Sequence, residues 1–513
     1  MQDKAFANLS PRGRLWWYSI TVFLSSAFLL VLEIVAGRLI APYAGVSLYT
    51  WTAIIGVILA GLSLGNWLGG VWADRGAGDR AVGITLAVGG LSCIAILLLL
   101  MLIAPFIQAS QMNLLSASFL YVLALFFIPA ILIGVITPLL TTLALRLDSR
   151  SGHVVGRMHA LAALGSIVGT FITGYVLVQT FGTKNIIVGT AIAMFLLALP
   201  FLRGAVKVIP VVLVASLALA AATHAKQGFV NPCDRESNYF CIRVVDYSDA
   251  APFGEARALI LDHLIHGVNH ADVPAMLISP YVHLMAELAL RSNPAADRPR
   301  RYFFAGGGAY TLPRGLLTLD PAAELLVAEL DPLVTETAVK RLYLDPQRME
   351  IVHADARVAL GRLPPGRFDV VVADAFHDIS LPYHLATREF AQLVKSRLAE
   401  GGLYVLNVLD VFPNPELVKS MSKTLATEFR HVSVWLDTLP DQPVRQTFVI
   451  AASDVGNFPD QIDARHGMQR SWYRIDAPLA ATGTPMAALP ILTDDYVPVE
   501  RLVSALLYGR YGL

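Results

Sequence analysis

Between Arg80 and Arg146 the chain carries no Lys, Arg, Asp or Glu. A water-soluble core has no need of so long an uncharged run. A bilayer requires it, because each helical crossing takes about 20 mostly apolar residues. With that length as the ruler, the first half divides into seven candidate spans: Leu15–Gly37, Thr50–Trp72, Ala81–Leu102, Phe119–Leu140, Met158–Gln179, Asn185–Leu202 and Val206–Ala222. The fifth is rich in Gly and Ala and the seventh is short, so one crossing more or fewer stays open. Met1–Arg14 is basic, but the apolar segment after it runs on to Gly37 without a small-residue cleavage site, and reads as a retained first span.

Orientation follows from Lys and Arg in the short loops. Lys4, Arg12 and Arg14 precede the first span, Arg75 and Arg80 follow the second, Arg146, Arg150 and Arg157 follow the fourth, and Arg203 and Lys207 follow the sixth. The alternate loops offer mainly Arg38 and Lys184. The N-terminus is therefore expected in the cytoplasm, and an odd number of spans carries the rest of the chain to the other side. Charged residues are only 15% of the whole, against roughly 25% in soluble proteins. The formal net charge is +0, which gives no reason to expect a nucleic-acid partner.

Within the spans, Gly61, Gly65 and Gly69 lie four apart on one helix face, and Gly165 and Gly169 repeat the spacing, as close helix packing requires. Glu33 is a carboxylate inside the first span, where ionisable groups are expensive and point into the bundle. Arg38 meets it only by reaching back, so a structural contact and a relay role both stay open. Seven short-looped helices are too few for a large two-half transporter, and no symmetric pair of broken helices is evident.

From Asp234 onward the composition is that of a soluble domain. The chain thus divides into a membrane bundle over 1–225, a β-hairpin region over 229–280, and an α/β domain over 281–513. Tyr239–Val245 and Ala256–Asp262 form the hairpin, with a helix from about Tyr281 to Arg291. Strands then alternate with helices. Arg301–Ala305 opens onto Gly306-Gly307-Gly308, Glu324–Glu329 ends on an acid, Met349–Val352 ends near Asp355, Phe368–Ala373 ends at Asp374, and Leu403–Val408 follows Gly401-Gly402. That alternation predicts a mostly parallel sheet covered on both faces. Ligands of such sheets bind at the carboxyl ends of the strands, where Gly306, Gly308, Glu329, Asp355 and Asp374 all fall. The glycines lack the full dinucleotide fingerprint, which favours a nucleoside-binding, methyltransferase-like class. No His/Cys/Asp cluster has metal-site spacing, and no metal is expected.

The soluble half, from about Glu236 to Leu502, resembles the spermidine synthase family of polyamine aminopropyltransferases. The matching stretches are Phe304-Ala-Gly-Gly-Gly308, Val327-Ala-Glu-Leu-Asp331, His353-Ala-Asp-Ala356, Phe368-Asp-Val-Val-Val-Ala-Asp374, His384-Leu-Ala-Thr-Arg-Glu-Phe390 and Leu492-Thr-Asp-Asp-Tyr-Val-Pro498. Glu33–Pro42 and Trp51–Arg75 carry a second signature, similar to that of the multi-span bacterial members. The resemblance implies a transmembrane all-α bundle of about seven helices joined to a Rossmann-like α/β domain, in a bacterial inner membrane. It implies decarboxylated S-adenosylmethionine as co-substrate and a small amine as acceptor. It also implies Glu329 on the ribose, Asp355 near the adenine, Asp374 as the base that takes the amine proton, and His283 and Asp378 beside the amine.

The departures fall on the amine side. Ala309 and Tyr310 stand where the family has Asp-Gly, Phe240 where it has glutamine, His377 where it has a second acid, with Asp378 displaced by one, and Val282 where it has tyrosine. Three functions therefore fit the sequence: an aminopropyltransferase, a related transferase or cyclase with another substrate, and a non-catalytic sensor or transporter. Cys233 and Cys241 are eight apart and form a disulfide in an oxidising compartment or stay as two thiols otherwise. Assembly with further copies of the chain stays open.

Overall fold

The computed structural model describes residue 6 and residues 9–110, 112–203, 207–292, 298–376, 379–456 and 458–509. They form two compact units, Met1–Asn238 and Tyr239–Leu513. Of the sequence-derived site residues, Asp378 lies outside the described residues, as does His377.

Seven helices of the first unit are long and apolar enough to cross a membrane: Pro11–Ala44, Leu48–Asp74, Asp79–Ala109, Leu114–Leu145, Ser151–Phe181, Thr183–Leu202 and Val208–Ala225. Each corresponds to one expected span, and the first five outrun their apolar stretch at both ends. Hydropathy marks only the hydrocarbon slab, whereas helical hydrogen bonding continues into the headgroup layer. Polar caps then end the helices, as where Asn113 Oδ1 accepts the N–H of Ser116 at 2.8 Å. The Gly-rich fifth helix contains one π-helical turn, Thr173–Leu177.

The glycine spacing has a direct steric meaning. A Cβ at Gly61 would lie 2.7 Å from that of Ala130, and one at Gly65 would run into the carbonyl of Ile131 on the fourth span. Gly165 and Gly169 bring the fifth span equally close to Phe23 and Ala27 of the first. Arg38 donates to the carbonyl of Ser237 at 2.7 Å. Lys184 donates to the carbonyls of Gly228 and Val230 at 2.8 and 2.5 Å. Glu236, in the short strand β1 (Arg235–Glu236), accepts from Asn231 Nδ2 at 2.6 Å. The two cations that stood out in the otherwise uncharged loops thus fasten the segment after the last span. Cys233 and Cys241 are disulfide-bonded, and Cys93 is a buried free thiol.

The second unit begins with β2 (Cys241–Asp246), β3 (Ala256–Leu261) and β4 (Leu264–His270), paired antiparallel in that order. The expected hairpin is present, and β4 adds a strand that the sequence did not suggest. A turn of two residues, Asp262 and His263, joins β3 to β4, with Asp262 at φ +54°.

The large sheet has nine strands: β5 (Arg301–Ala305), β6 (Glu324–Glu329), β7 (Glu350–His353), β8 (Phe368–Ala373), β9 (Leu398–Phe412), β10 (His431–Leu436), β11 (Val444–Ser453), β12 (Gln461–Asp463) and β13 (Ser471–Arg474). Their order is β12-β13-β10-β11-β9-β8-β5-β6-β7. The sheet is parallel from β7 to β9 and antiparallel from β9 to β12, so the expectation of a mostly parallel sheet describes only its first five strands in chain order. Every residue of β8 is buried, as befits a central strand covered on both faces. The long strand β9 runs well past β8 and pairs with β11 from Leu403↔Ser453 to Phe412↔Val444 without a break in register.

Candidate functional site

The first glycine after β5 has φ +97°, and a Cβ there would run into the carbonyl oxygen of Asp374. Gly306 is therefore required by backbone conformation and by space. The loop it opens turns its amide groups onto the end of β6. Glu329 Oε2 accepts the N–H groups of Gly307 and Gly308 at 2.8 and 3.0 Å, and Oε1 accepts that of Asp331 at 2.9 Å. Burial raises the pKa of this carboxyl, and the three N–H groups pull it back. Three of the roughly four acceptor sites of the carboxylate are thus used. One remains on Oε1.

Asp355 follows β7 and caps the next helix, Oδ1 accepting from Val358 N–H at 3.0 Å. Its Oδ2 lies 2.6 Å from Nε2 of His384. Asp374 follows β8. Asn407, on the neighbouring strand β9, donates from Nδ2 to Asp374 Oδ1 at 3.1 Å, and desolvation pushes the Asp374 pKa up to about 6. Gly306, Gly308, Glu329, Asp355 and Asp374 all line one cavity of about 370 Å³, together with Phe240, His266, Phe376 and Glu500. The His266 ring centroid lies 6.4 Å from those of both Phe240 and Phe376, and burial pushes its pKa down to about 4. The cavity therefore has an acidic side at the strand ends and a wall of aromatic rings with a neutral imidazole.

His283 does not line this cavity. It is buried, its ring edge-on to Trp472 at 5.0 Å and its Nε2 2.8 Å from the carbonyl of His466. The reason is helix phase: Tyr281, two residues earlier on helix Pro280–Arg291, is turned about 200° from His283. Tyr281 is the residue that feels the Asp374 charge, and its pKa is raised by burial and then by that carboxylate. Ala309, in place of the family's acid, is buried, and a Cβ at Gly267 of β4 would lie only 2.7 Å from its own. Asn407, His266 and Tyr281 were missed in the sequence. Only Asn407 left a signal there, as a lone amide in the apolar run of β9.

Residues 279–459 match the family model of the spermine/spermidine synthase domain. The chain is 33% identical over 153 residues to a polyamine aminopropyltransferase of Vibrio vulnificus, covering 29% of this chain and 49% of that protein. It is 24% identical over 443 residues to polyamine aminopropyltransferase 2 of Ralstonia nicotianae, covering 79% of this chain and 81% of that one. That alignment is longer than the whole second unit, so the similarity runs into the membrane half. Among solved structures, a probable spermidine synthase from Corynebacterium glutamicum matches with 24% identity and a TM-score of 0.40, over 44% of this chain and 81% of that one. The chain spans between 49% and 61% of the length of the first curated relatives it matches.

Proposed function

We propose that this chain, whose second unit carries the match to the spermine/spermidine synthase domain, transfers an aminopropyl group from decarboxylated S-adenosylmethionine to a small amine. The observation that carries the reading is Asp374: a carboxylate at the end of the central strand, opening into the same cavity as Glu329 and Asp355, with its pKa raised toward neutrality. An ammonium is no nucleophile, so the acceptor must lose a proton as it attacks. Asp374 takes that proton while the nitrogen lone pair forms the new N–C bond. The C–S bond breaks with its electrons on sulfur, and methylthioadenosine leaves.

Each remaining residue has a part that its geometry supports. Glu329, held by three backbone N–H groups, offers its free acceptor site to a ribose hydroxyl. Asp355, fixed between a helix N-terminus and His384, borders the place for the base. The aromatic wall of Phe240 and Phe376 suits a sulfonium or ammonium on its way to Asp374. The positive residues of the short loops, seven crossings and a disulfide-bonded Cys233 and Cys241 together favour a second unit on the non-cytoplasmic side of a bacterial membrane.

The experiment is methylthioadenosine release by detergent-purified full-length protein, given decarboxylated S-adenosylmethionine with and without a panel of amines. Release that depends on an added amine is the expected result. A folded protein that releases none with any amine overturns the reading.

A further inference from the structure

Arg445, on β11, is a cation of the second unit with no hydrogen-bonding or ion-pair partner among the described residues, and its Nη1 is buried. A buried N–H of a cation left without an acceptor costs free energy that the fold does not recover. Burial accordingly lowers its pKa, with no carboxylate holding it up. Arg243 nearby spends one nitrogen on the carbonyl of Asp262 at 2.8 Å, and its Nε is also buried without a partner. The Asp262 carboxylate is engaged by the N–H of Cys241 at 2.9 Å.

The sheet register places Arg445 relative to the base. Arg445 pairs with Val411, and Asn407, whose amide holds Asp374, lies four residues back on the same strand. Side chains alternate along a strand, so positions 407 and 411 share a face, and Arg445 shares it with its cross-strand partner. The separation along β9 is roughly 13 Å, of which an arginine side chain spans about half. Burial pushes the pKa of His263, in the β3–β4 turn, down to about 4, and His266, Arg445 and Arg243 press it the same way.

From this geometry we infer that the acceptor amine carries a carboxylate at its far end, bound by Arg445, so that the substrate is an ω-amino acid rather than a polyamine. The inference rests on the aminopropyl-transfer reading for the position of the amine. It accounts for Ala309 and Phe240, because a site that receives a single ammonium beside Asp374 has no need of further carboxylates along its length. The gap left after the arginine side chain, roughly 7 Å, is that of a chain of five or six carbons.

The test is binding to full-length protein in detergent, saturated with methylthioadenosine, of 6-aminohexanoate against 1,5-diaminopentane. The expected result is at least tenfold tighter binding of the amino acid. Arg445→Met should abolish that preference and Arg445→Lys should retain most of it, with thermal melts to verify folding. Equal or tighter binding of the diamine by the unmodified protein overturns the inference, whether or not the variants fold. So does an Arg445→Met protein that keeps the preference. The two readings fail separately. Arg445-dependent binding of 6-aminohexanoate without methylthioadenosine release sinks the transfer reaction and leaves the carboxylate site standing. Release with the diamine and none with 6-aminohexanoate does the reverse.

Discussion

Asn407 Nδ2 donates to Asp374 Oδ1 at 3.1 Å, which leaves Oδ2 of the same carboxylate without a protein partner among the described residues. One oxygen is fixed and the other is available to a substrate proton. Asp374→Asn keeps the shape and removes the base. Methylthioadenosine release should fall by at least roughly 100-fold, the low end for loss of a general base. Unchanged release in the variant would remove Asp374 from the chemistry.

The raised pKa of Asp374 also fixes the sign of two pH effects. For turnover the carboxylate must be ionised, so kcat/KM should climb about tenfold per pH unit up to about 6 and then level. His266 is pushed down to about 4 and is not the source of that limb, which should survive His266→Gln. An acid limb centred near pH 4 would contradict the assignment.

For stability the pH dependence has the opposite sign. A carboxyl whose folded pKa is raised favours the fold while protonated, at pH below its unfolded value, and that contribution is lost as pH rises through about 6. Asp374→Asn carries no buried charge at any pH. Its melting temperature should therefore exceed that of the unmodified protein at pH 7.5, and the gap should close near pH 4. Scanning fluorimetry at the two pH values decides it, and a variant less stable at pH 7.5 would mean that the carboxylate is structurally needed.

Glu329→Gln tests the ribose position. The amide has one oxygen where the carboxylate has two, yet N–H groups approach both oxygens of Glu329. At least one buried N–H is left without an acceptor, at a cost of about 1–3 kcal/mol. A lower melting temperature and at least tenfold weaker methylthioadenosine binding by calorimetry are expected. Full nucleoside affinity in the variant would dissociate Glu329 from the ligand.

The seven long apolar helices and the acids at the strand ends were legible in the sequence because both are local patterns. An uncharged apolar run needs no partner to be recognised, and Gly306, Glu329, Asp355 and Asp374 each stand directly after a strand that can be read on its own. What escaped depends on pairings between distant segments. Arg445 acquires meaning only when β11 is laid against β9, and β10 to β13 join the sheet by antiparallel pairings that helix–strand alternation does not announce. His283 was a matter of phase, since the family motif gives the residue but not the side of helix Pro280–Arg291 it occupies, which is the side against Trp472 and His466. His266 sits on β4, a strand with His266, Gly267 and Asn269 in place of regular apolar alternation.

Orientation is the remaining expectation open to direct measurement. The positions of Arg75, Arg80, Arg146, Arg150, Arg157, Arg203 and Lys207 predict that alternate loops are cytoplasmic, in which case seven crossings would carry Tyr239–Leu513 to the opposite side. Arg38 and Lys184, the exceptions, are engaged with backbone carbonyls of 228–237. In intact bacterial cells, a membrane-impermeant maleimide should label Cys233 and Cys241 only after reduction, and should leave Cys93 unlabelled within its span. An alkaline phosphatase fused after Leu513 should be active. Inactive phosphatase together with cysteines reachable only after lysis would put the second unit in the cytoplasm. In that case the count of crossings, rather than the distribution of charge, is the premise that fails, because the loops between the first six spans would keep their charge pattern either way.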